Sequence, residues 1–367
     1  MTWHLLSGEF PPDCGGVGDY TADLARALEA AGDRVHIWTP LHTLPDRFGR
    51  ASRQRLADAL QETPGIVLLQ YVPNALGARG MNLRFCLWLR TLASKGVDVR
   101  VMFHEPYFYY SLSRPWRNAL AVAQRVMAAV LLQASGTTYL STDTWRRYLT
   151  SMGGGNRFQT LPIPSSVPAA GLPASIAKWR HAFAPAGEPV VGHFGTYGGH
   201  VAGELFQLLP IVAAQSPRAR FAFIGAGSAE FLERLERRDA RLAARSRATG
   251  RLDGRETASA LRACDLMIQP YPDGITTRRT SAMAGLRNSV ATVSTVGALT
   301  EPIWAESQAV ALAPSGDTAR FAELVSSLLK DPAARDGFAR RGSRTYEGRF
   351  AIEHTIAALR AAPAAAA

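Results

Sequence analysis

Short apolar runs recur along this chain. Each is followed by a turn rich in glycine or proline, and then by a longer segment whose apolar positions return every three or four residues. Gly65 to Tyr71 (GIVLLQY) and Val99 to Phe103 are apolar at nearly every position, as strands buried on both faces of a parallel sheet must be. Val17 to Ala31 instead sets Val17, Tyr20, Leu24, Ala27 and Leu28 on one helical face, and Gly32-Asp33 stops it. Read this way, the first half predicts strands at 3–7, 35–39, 65–71, 99–103, 137–141 and 158–163, with helices at 17–31, 52–61, 81–95, 116–132 and 144–151. The alternation restarts at Val190. Strands follow at 220–224, 248–251, 265–269, 290–294 and 310–313, with helices at 201–214, 229–245, 256–263, 277–286 and 318–330 and further helix to the end.

Residues 162 to 189 separate the two series and are rich in proline, which reads as a hinge with a helical turn over 176–183. Two strand and helix series across such a hinge predict an α/β chain of two Rossmann-like, doubly wound domains facing across a cleft. Their expected ranges are 1–186 and 187–348, with a C-terminal helix at 349–367 packing back on the first domain. At 367 residues the chain is long enough for both cores.

Composition narrows the classes. An apolar content of 47% with 19% charged residues describes a folded globular protein rather than a disordered one. The net charge is +11, yet only Lys95, Lys178 and Lys330 are lysine among 41 basic residues, which reads as a general arginine bias. No nucleic-acid fingerprint or basic tail accompanies it, so no nucleic-acid partner is expected. Residues 1–185 carry 19 basic against 12 acidic side chains, compatible with peripheral docking on the anionic inner face of a plasma membrane. Cys14, Cys86 and Cys264 are far apart and lack metal spacing, which points to a reducing, cytoplasmic compartment. Met1 to Leu6 reads as a strand rather than a leader, and the longest apolar run, Val126 to Leu140, is too short and too polar to span a bilayer.

The candidate chemistry gathers in Ile268 to Gly297. A strand end, the turn Pro272-Asp273-Gly274, a short helix and a further strand follow one another there. Arg278 and Arg279 would fall in the first helical turn, where the dipole is positive and free N–H groups point outward, so two guanidinium groups there ask for a bound anion such as a nucleoside diphosphate. The alternative is solvation, or pairing with Glu301 or Glu306. In the first half, Gly15-Gly16-Val17-Gly18 precedes a helix without the spacing of a dinucleotide fingerprint, and His104 and Glu105 stand just past a strand end, where open α/β sheets place ligands.

Several stretches together carry a resemblance over nearly the whole chain. They are EFPPDCGGVGDYTADLARALEAAGDRVHIWTP, FHEP, GHFG, FIGAG, ACDLMIQPYPDG and SAMAGLRNSVATVST. The chain resembles the GT-B glycosyltransferases, specifically the large retaining family usually numbered four. The resemblance implies transfer of a sugar from a UDP- or GDP-linked donor to a hydroxyl of a glycan, glycolipid or natural product. It implies no cofactor, and with no Asp-x-Asp motif no catalytic metal is expected. Monomer and homodimer remain open. The family's two glutamates eight positions apart map to Asp273 and Ser281, so a carboxylate is kept at the sugar end and lost at the ribose end. The family's Arg and Lys after the strand that opens its second domain have no counterpart in Gly195-Thr196-Tyr197-Gly198-Gly199, and Arg278 and Arg279 are the expected replacement. On this resemblance His104, Asp273 and Arg278 are the catalytic candidates. Gly15, Gly16, Gly195, Thr196, Gly274, Ile275, Thr276, Arg278, Arg279 and Ser281 are the donor-binding ones, and Glu9, Asp19 and Glu105 face the acceptor. A catalytically impaired relative and a sugar-nucleotide epimerase stay open as alternatives.

Overall fold

The computed structural model of the chain describes residues 1–11, 15–40, 43–44, 46–77, 80–110, 115–153, 157–169 and 171–361. Cys14, Gly154, Gly155, residues 111–114 and residues 362–367 therefore lie outside the described residues. The chain divides into two compact units, Met1–Ile163 with Ile352–Ala367, and Pro164–Ala351.

The first unit runs β1 (Thr2–Ser7), α1 (Gly16–Ala30), β2 (Arg34–Trp38), α2 (Arg50–Glu62), β3 (Ile66–Tyr71), α3 (Leu83–Ser94), β4 (Val99–Phe103), α4 (Arg117–Ala134), β5 (Thr137–Leu140), α5 (Thr144–Thr150) and β6 (Arg157–Thr160). Its six strands are parallel in the order β2-β1-β3-β4-β5-β6. The chain starts inside the sheet, lays β2 on one side and every later strand on the other, so the order reverses between β1 and β3. Trp3, Leu5, Leu24, Leu28 and Leu68 form the core between sheet and α1.

The second unit runs α6 (Pro173–Phe183), β7 (Val190–Phe194), α7 (Gly199–Gln215), β8 (Arg220–Ile224), α8 (Ser228–Glu236), α9 (Ala240–Ala244), β9 (Ser246–Ala248), α10 (Gly254–Arg262), β10 (Leu266–Gln269), α11 (Thr280–Arg287), β11 (Thr292–Val296), α12 (Ile303–Ser307), β12 (Ala311–Pro314), α13 (Thr318–Lys330) and α14 (Pro332–Thr345). A π-helical turn, Tyr346–Phe350, closes it, and α15 (Ile352–Ala361) returns to the first unit. The second sheet is also parallel, ordered β12-β11-β10-β7-β8-β9, so its reversal lies between β7 and β10. Helix α15 joins the first unit through Ile356 and Leu359 in the core and through buried Arg100, whose Nη1 donates to Leu359 O at 2.7 Å while Nη2 meets Asp98 at 2.8 Å.

Three expectations need correction. The helical turn expected within the proline-rich stretch is present as a longer helix, and the stretch belongs to the second unit. Pro173 opens α6 at a position where its missing N–H leaves no bond unmade, and Ser175 Oγ and Trp179 Nε1 donate to Glu256 of α10 at 2.7 and 2.8 Å. With Phe183 buried in the same core, these contacts tie the residues after Ile163 to the second unit, so the boundary falls at 163 rather than 186. The charged helix expected over 229–245 breaks in two, because Asp239 leaves the helix and its side chain accepts the N–H of Leu242 at 2.9 Å, capping α9. Helix α11 begins at Thr280 rather than Thr277, since Thr277 gives its N–H and hydroxyl to buried Glu301 instead.

Candidate functional site

Strand β7 ends at Phe194, and Gly195 to Gly198 carry the chain into α7 beside the reversal point of the second sheet. Gly198 caps that helix with no side-chain bond, so the N–H groups of its first turn are left to water or a ligand. Tyr197 holds a left-handed backbone, φ 57°, and its buried hydroxyl donates to His193 O at 2.9 Å and Ile224 O at 3.3 Å. The FIGAG glycines let this loop lie flat on the end of β8. A Cβ at Gly225 would stand 2.6 Å from Gly195 O, and one at Gly227 2.8 Å from Thr196 O.

Across from this loop stand Gln269 at the end of β10, Tyr271, and Arg278 to Ser281. Together the two walls enclose a pocket of about 360 Å³. Arg279 is the N-cap residue of α11, and its guanidinium lies 4.5 Å from the centre of the Tyr271 ring. Arg278 lines the same pocket. Glu301, one of the two carboxylates the sequence offers as partners for the arginines, receives the N–H of Thr277 at 2.7 Å, its hydroxyl, and Trp304 Nε1 at 3.1 Å.

The floor is a directed chain of hydrogen bonds. Gln269 Nε2 donates to Phe194 O at 3.0 Å, which turns its Oε1 towards Tyr271, whose hydroxyl donates to it at 3.2 Å. Burial raises the Tyr271 pKa, so that proton stays in place. Ser281 Oγ is 2.7 Å from the Tyr271 oxygen and must spend its own proton there, which leaves lone pairs for the pocket. His193 completes the floor at 1% exposure. Burial pushes its imidazole pKa down to about 3, so the ring is neutral, and its Nδ1 has no hydrogen-bond partner among the described residues.

Of the residues singled out from the sequence, Gly195, Thr196, Arg278, Arg279 and Ser281 line this pocket. Asp273 is exposed in the preceding turn and does not line it. Gly274, φ 88°, has a structural reason of its own, since a side chain there would collide with Gly297 N and Thr300 Oγ1. Ile275 is fully buried in the core behind the wall and gives its N–H to Thr295 O at 2.8 Å, so neither its side chain nor its amide is open to a donor. Thr276 is buried as well, away from the pocket lining. Sequence reasoning missed His193, Gln269, Tyr271 and His200. His200 lines the pocket from the first turn of α7, one residue beyond the loop in which no cation was found.

The remaining candidates sit in the first unit, near the reversal point of its own sheet. His104 is nearly buried. Its Nε2 lies 2.8 Å from Gln70 Oε1, its carbonyl accepts from Ser141 Oγ at 3.1 Å and Trp145 Nε1 at 3.0 Å, and Tyr20 packs edge-on against the ring. Gly15 caps α1 without a side-chain bond, and a side chain at 15 would collide with the Glu9 carboxylate. Gly16 and Asp19 are exposed in the first turn of α1, and Glu105 is half-buried beside His104.

Residues 188–331 match the family described as glycosyl transferases group 1. Among solved structures, HepE of Anabaena in complex with UDP and glucose is similar over 98% of both chains at 13% identity, with a TM-score of 0.70. Sucrose-phosphate synthase from Thermosynechococcus elongatus is similar over 98% of this chain and 97% of its own at 15% identity, with a TM-score of 0.73. A trehalose-6-phosphate protein from E. coli bound with UDP-2-fluoro glucose is similar over 98% of both chains at 13% identity, with a TM-score of 0.68. No curated protein sequence matches. The chain thus has the GT-B glycosyltransferase fold, and its second unit carries the match to the group 1 glycosyl transferases.

Proposed function

We propose that this protein transfers a sugar from a nucleoside-diphosphate sugar to a hydroxyl acceptor, with retention of anomeric configuration and without a bound metal. The observation that carries the reading is the pocket of the second unit, where Arg278, Arg279 and the uncapped first turn of α7 converge. Two guanidinium groups and a helix N-terminus favour one class of ligand, a compact polyanion. The nucleotides held by structurally similar proteins, UDP in HepE among them, support a UDP-linked donor.

In the proposed step the bond from the anomeric carbon to the diphosphate oxygen breaks, and the bond to the acceptor oxygen forms on the same face. The acceptor proton passes to the departing diphosphate. The arginines and the α7 amides stabilise the charge that grows on that leaving group, in the role a divalent cation fills elsewhere. Ser281, offering lone pairs only, accepts from a ribose hydroxyl. In the first unit, His104 is the proposed partner of a sugar hydroxyl, supported by its fixed position past the end of β4. Glu9 is the proposed carboxylate for the acceptor.

Calorimetric titration with UDP and GDP tests the binding half. Arg278→Ala combined with Arg279→Ala is expected to weaken binding by roughly 1.5 to 3 kcal/mol per lost charged bond. Unchanged affinity would remove the clamp from the scheme. Incubation with nucleotide sugars, read by NMR for the anomeric configuration of the product, tests the chemistry. Binding without turnover of any donor would instead favour a non-catalytic sugar-nucleotide binder, a reading to which Ser281 in place of a glutamate lends support.

A further inference from the structure

We propose that the face built by α3 and α4 of the first unit is a docking surface for an anionic lipid bilayer. Among the described residues eleven large apolar side chains are exposed, and eight of them fall between Met81 and Val126. Leu83 and Leu87 stand one turn apart on α3, and Val122 and Val126 one turn apart on α4. Trp116, the N-cap residue of α4, is 72% exposed. The two helices pack on one another, and the Asn82 N–H reaches Met127 Sδ at 3.4 Å, pinning the start of α3 to α4. Two apolar stripes therefore ride on neighbouring helices.

Charge selects the occupant. Neither α3 nor α4 contains an aspartate or glutamate, while they carry Arg84, Arg90, Arg117 and Arg125. Apart from buried Arg100, which pairs with Asp98 at 2.8 Å, residues 81–126 hold six basic side chains against one acidic one, Glu105. The Arg125 guanidinium lies 4.0 Å from the Tyr107 ring and 4.1 Å from the Tyr110 ring, and Arg117 lies 4.6 Å from Phe108. Apolar residues that enter the acyl boundary, tryptophan and tyrosine at headgroup depth, and guanidinium groups that meet phosphates make up an interfacial protein surface. Attachment would be peripheral, since no helix among the described residues is long and apolar enough to cross a membrane. A second copy fits less well, because a two-fold contact sets like charges against each other.

The inference does not rest on the transfer reading, and nucleotide binding is measured beside it. The full chain is floated with phosphatidylcholine vesicles, plain or containing about 30% phosphatidylglycerol. It is expected to float with the anionic vesicles alone and to be released by salt. Trp116→Ser with Val122→Ser and Val126→Ser should lower the bound fraction severalfold, and Arg84→Glu with Arg90→Glu should remove the preference for anionic lipid. Both variants should keep the wild-type melting temperature and UDP affinity. No flotation with anionic vesicles, or flotation unchanged in both variants, overturns the proposal. So does a concentration-dependent dimer that the same variants abolish, which would give the face to a second copy.

Discussion

The same topological reversal occurs in both sheets of this protein, and the two places differ in what they hold. Beside β1 and β3 stand a histidine fixed by bonds to its ring and carbonyl, a glutamate packed on Gly15, and an exposed helix start. Beside β7 and β10 stand two arginines, a glycine loop held flat by two further glycines, and a polar floor whose protons all point one way. Topology makes both places available to a ligand; side chains set the sign of the charge each will accept. The contrast also shows how little bulk charge says about location. The larger basic excess belongs to residues 1–185, whereas the pocket lined by Arg278 and Arg279 is in the other half.

The strongest way to break the contrast is to loosen the wall on which the arginines stand. Glu301 is 6% exposed and accepts from Thr277 N, Thr277 Oγ1 and Trp304 Nε1, so it fastens the segment before α11 to the core around Trp304. Glu301→Ala leaves three buried donors without that acceptor, at about 1–3 kcal/mol each before relaxation. A destabilisation of roughly 3 kcal/mol or more is expected in urea denaturation, with UDP affinity falling alongside it. Glu301→Gln, which keeps one acceptor oxygen, should lose distinctly less. If the alanine variant matches wild type in both measurements, the wall does not depend on this carboxylate.

Next in size is a pH effect. His193 is buried and neutral, with its pKa depressed to about 3, while the unfolded chain takes up the proton near the ordinary histidine value of ~6.5. Its contribution is therefore fully present above about pH 6.5 and is lost as the pH falls towards the folded value, at a slope of about 1.4 kcal/mol per pH unit. His4 in the first unit is depressed in the same direction by burial, but its Nε2 lies 2.9 Å from Thr63 O and its Nδ1 accepts from Trp38 Nε1 at 3.2 Å. Denaturation midpoints at pH 7, 6 and 5 should fall, and His193→Phe should flatten that fall by one histidine's share. An identical pH profile in the variant would show that the ring is not held neutral.

What could be read from the sequence follows the same division. The buried parallel strands announced themselves as continuous apolar runs, and Arg278 and Arg279 stood out because cations at a helix start conflict with its dipole. The resemblance to GT-B proteins drew on those same runs and glycines, and the two six-stranded parallel sheets agree with it. The break after α8 was hidden because charged residues continue through it and only the cap geometry of Asp239 reveals it. Gln269, Tyr271 and His193 were illegible for another reason. In one dimension they belong to buried strands and their ends, and only the splaying of β7 and β10 at the reversal point turns those residues into a pocket floor.

The smallest effect probes that floor most finely. Because Tyr271 commits its proton to Gln269, the hydroxyl of Ser281 is drawn to Tyr271 and its lone pairs face the pocket. A ligand hydroxyl that donates there gains one neutral hydrogen bond, so Ser281→Ala should weaken UDP by about 0.5–1.5 kcal/mol. The loss should be confined to ligands with a hydroxyl to donate. The 2′-deoxy and 3′-deoxy analogues of UDP identify it, since the one lacking the bonded hydroxyl should bind wild type and variant alike. Ser281→Cys, a poor acceptor of similar shape, should behave as the alanine does. If both analogues lose as much affinity as UDP on Ser281→Ala, the serine acts through packing of α11 against Tyr271, and the directed chain on the floor has no part in reading the ribose.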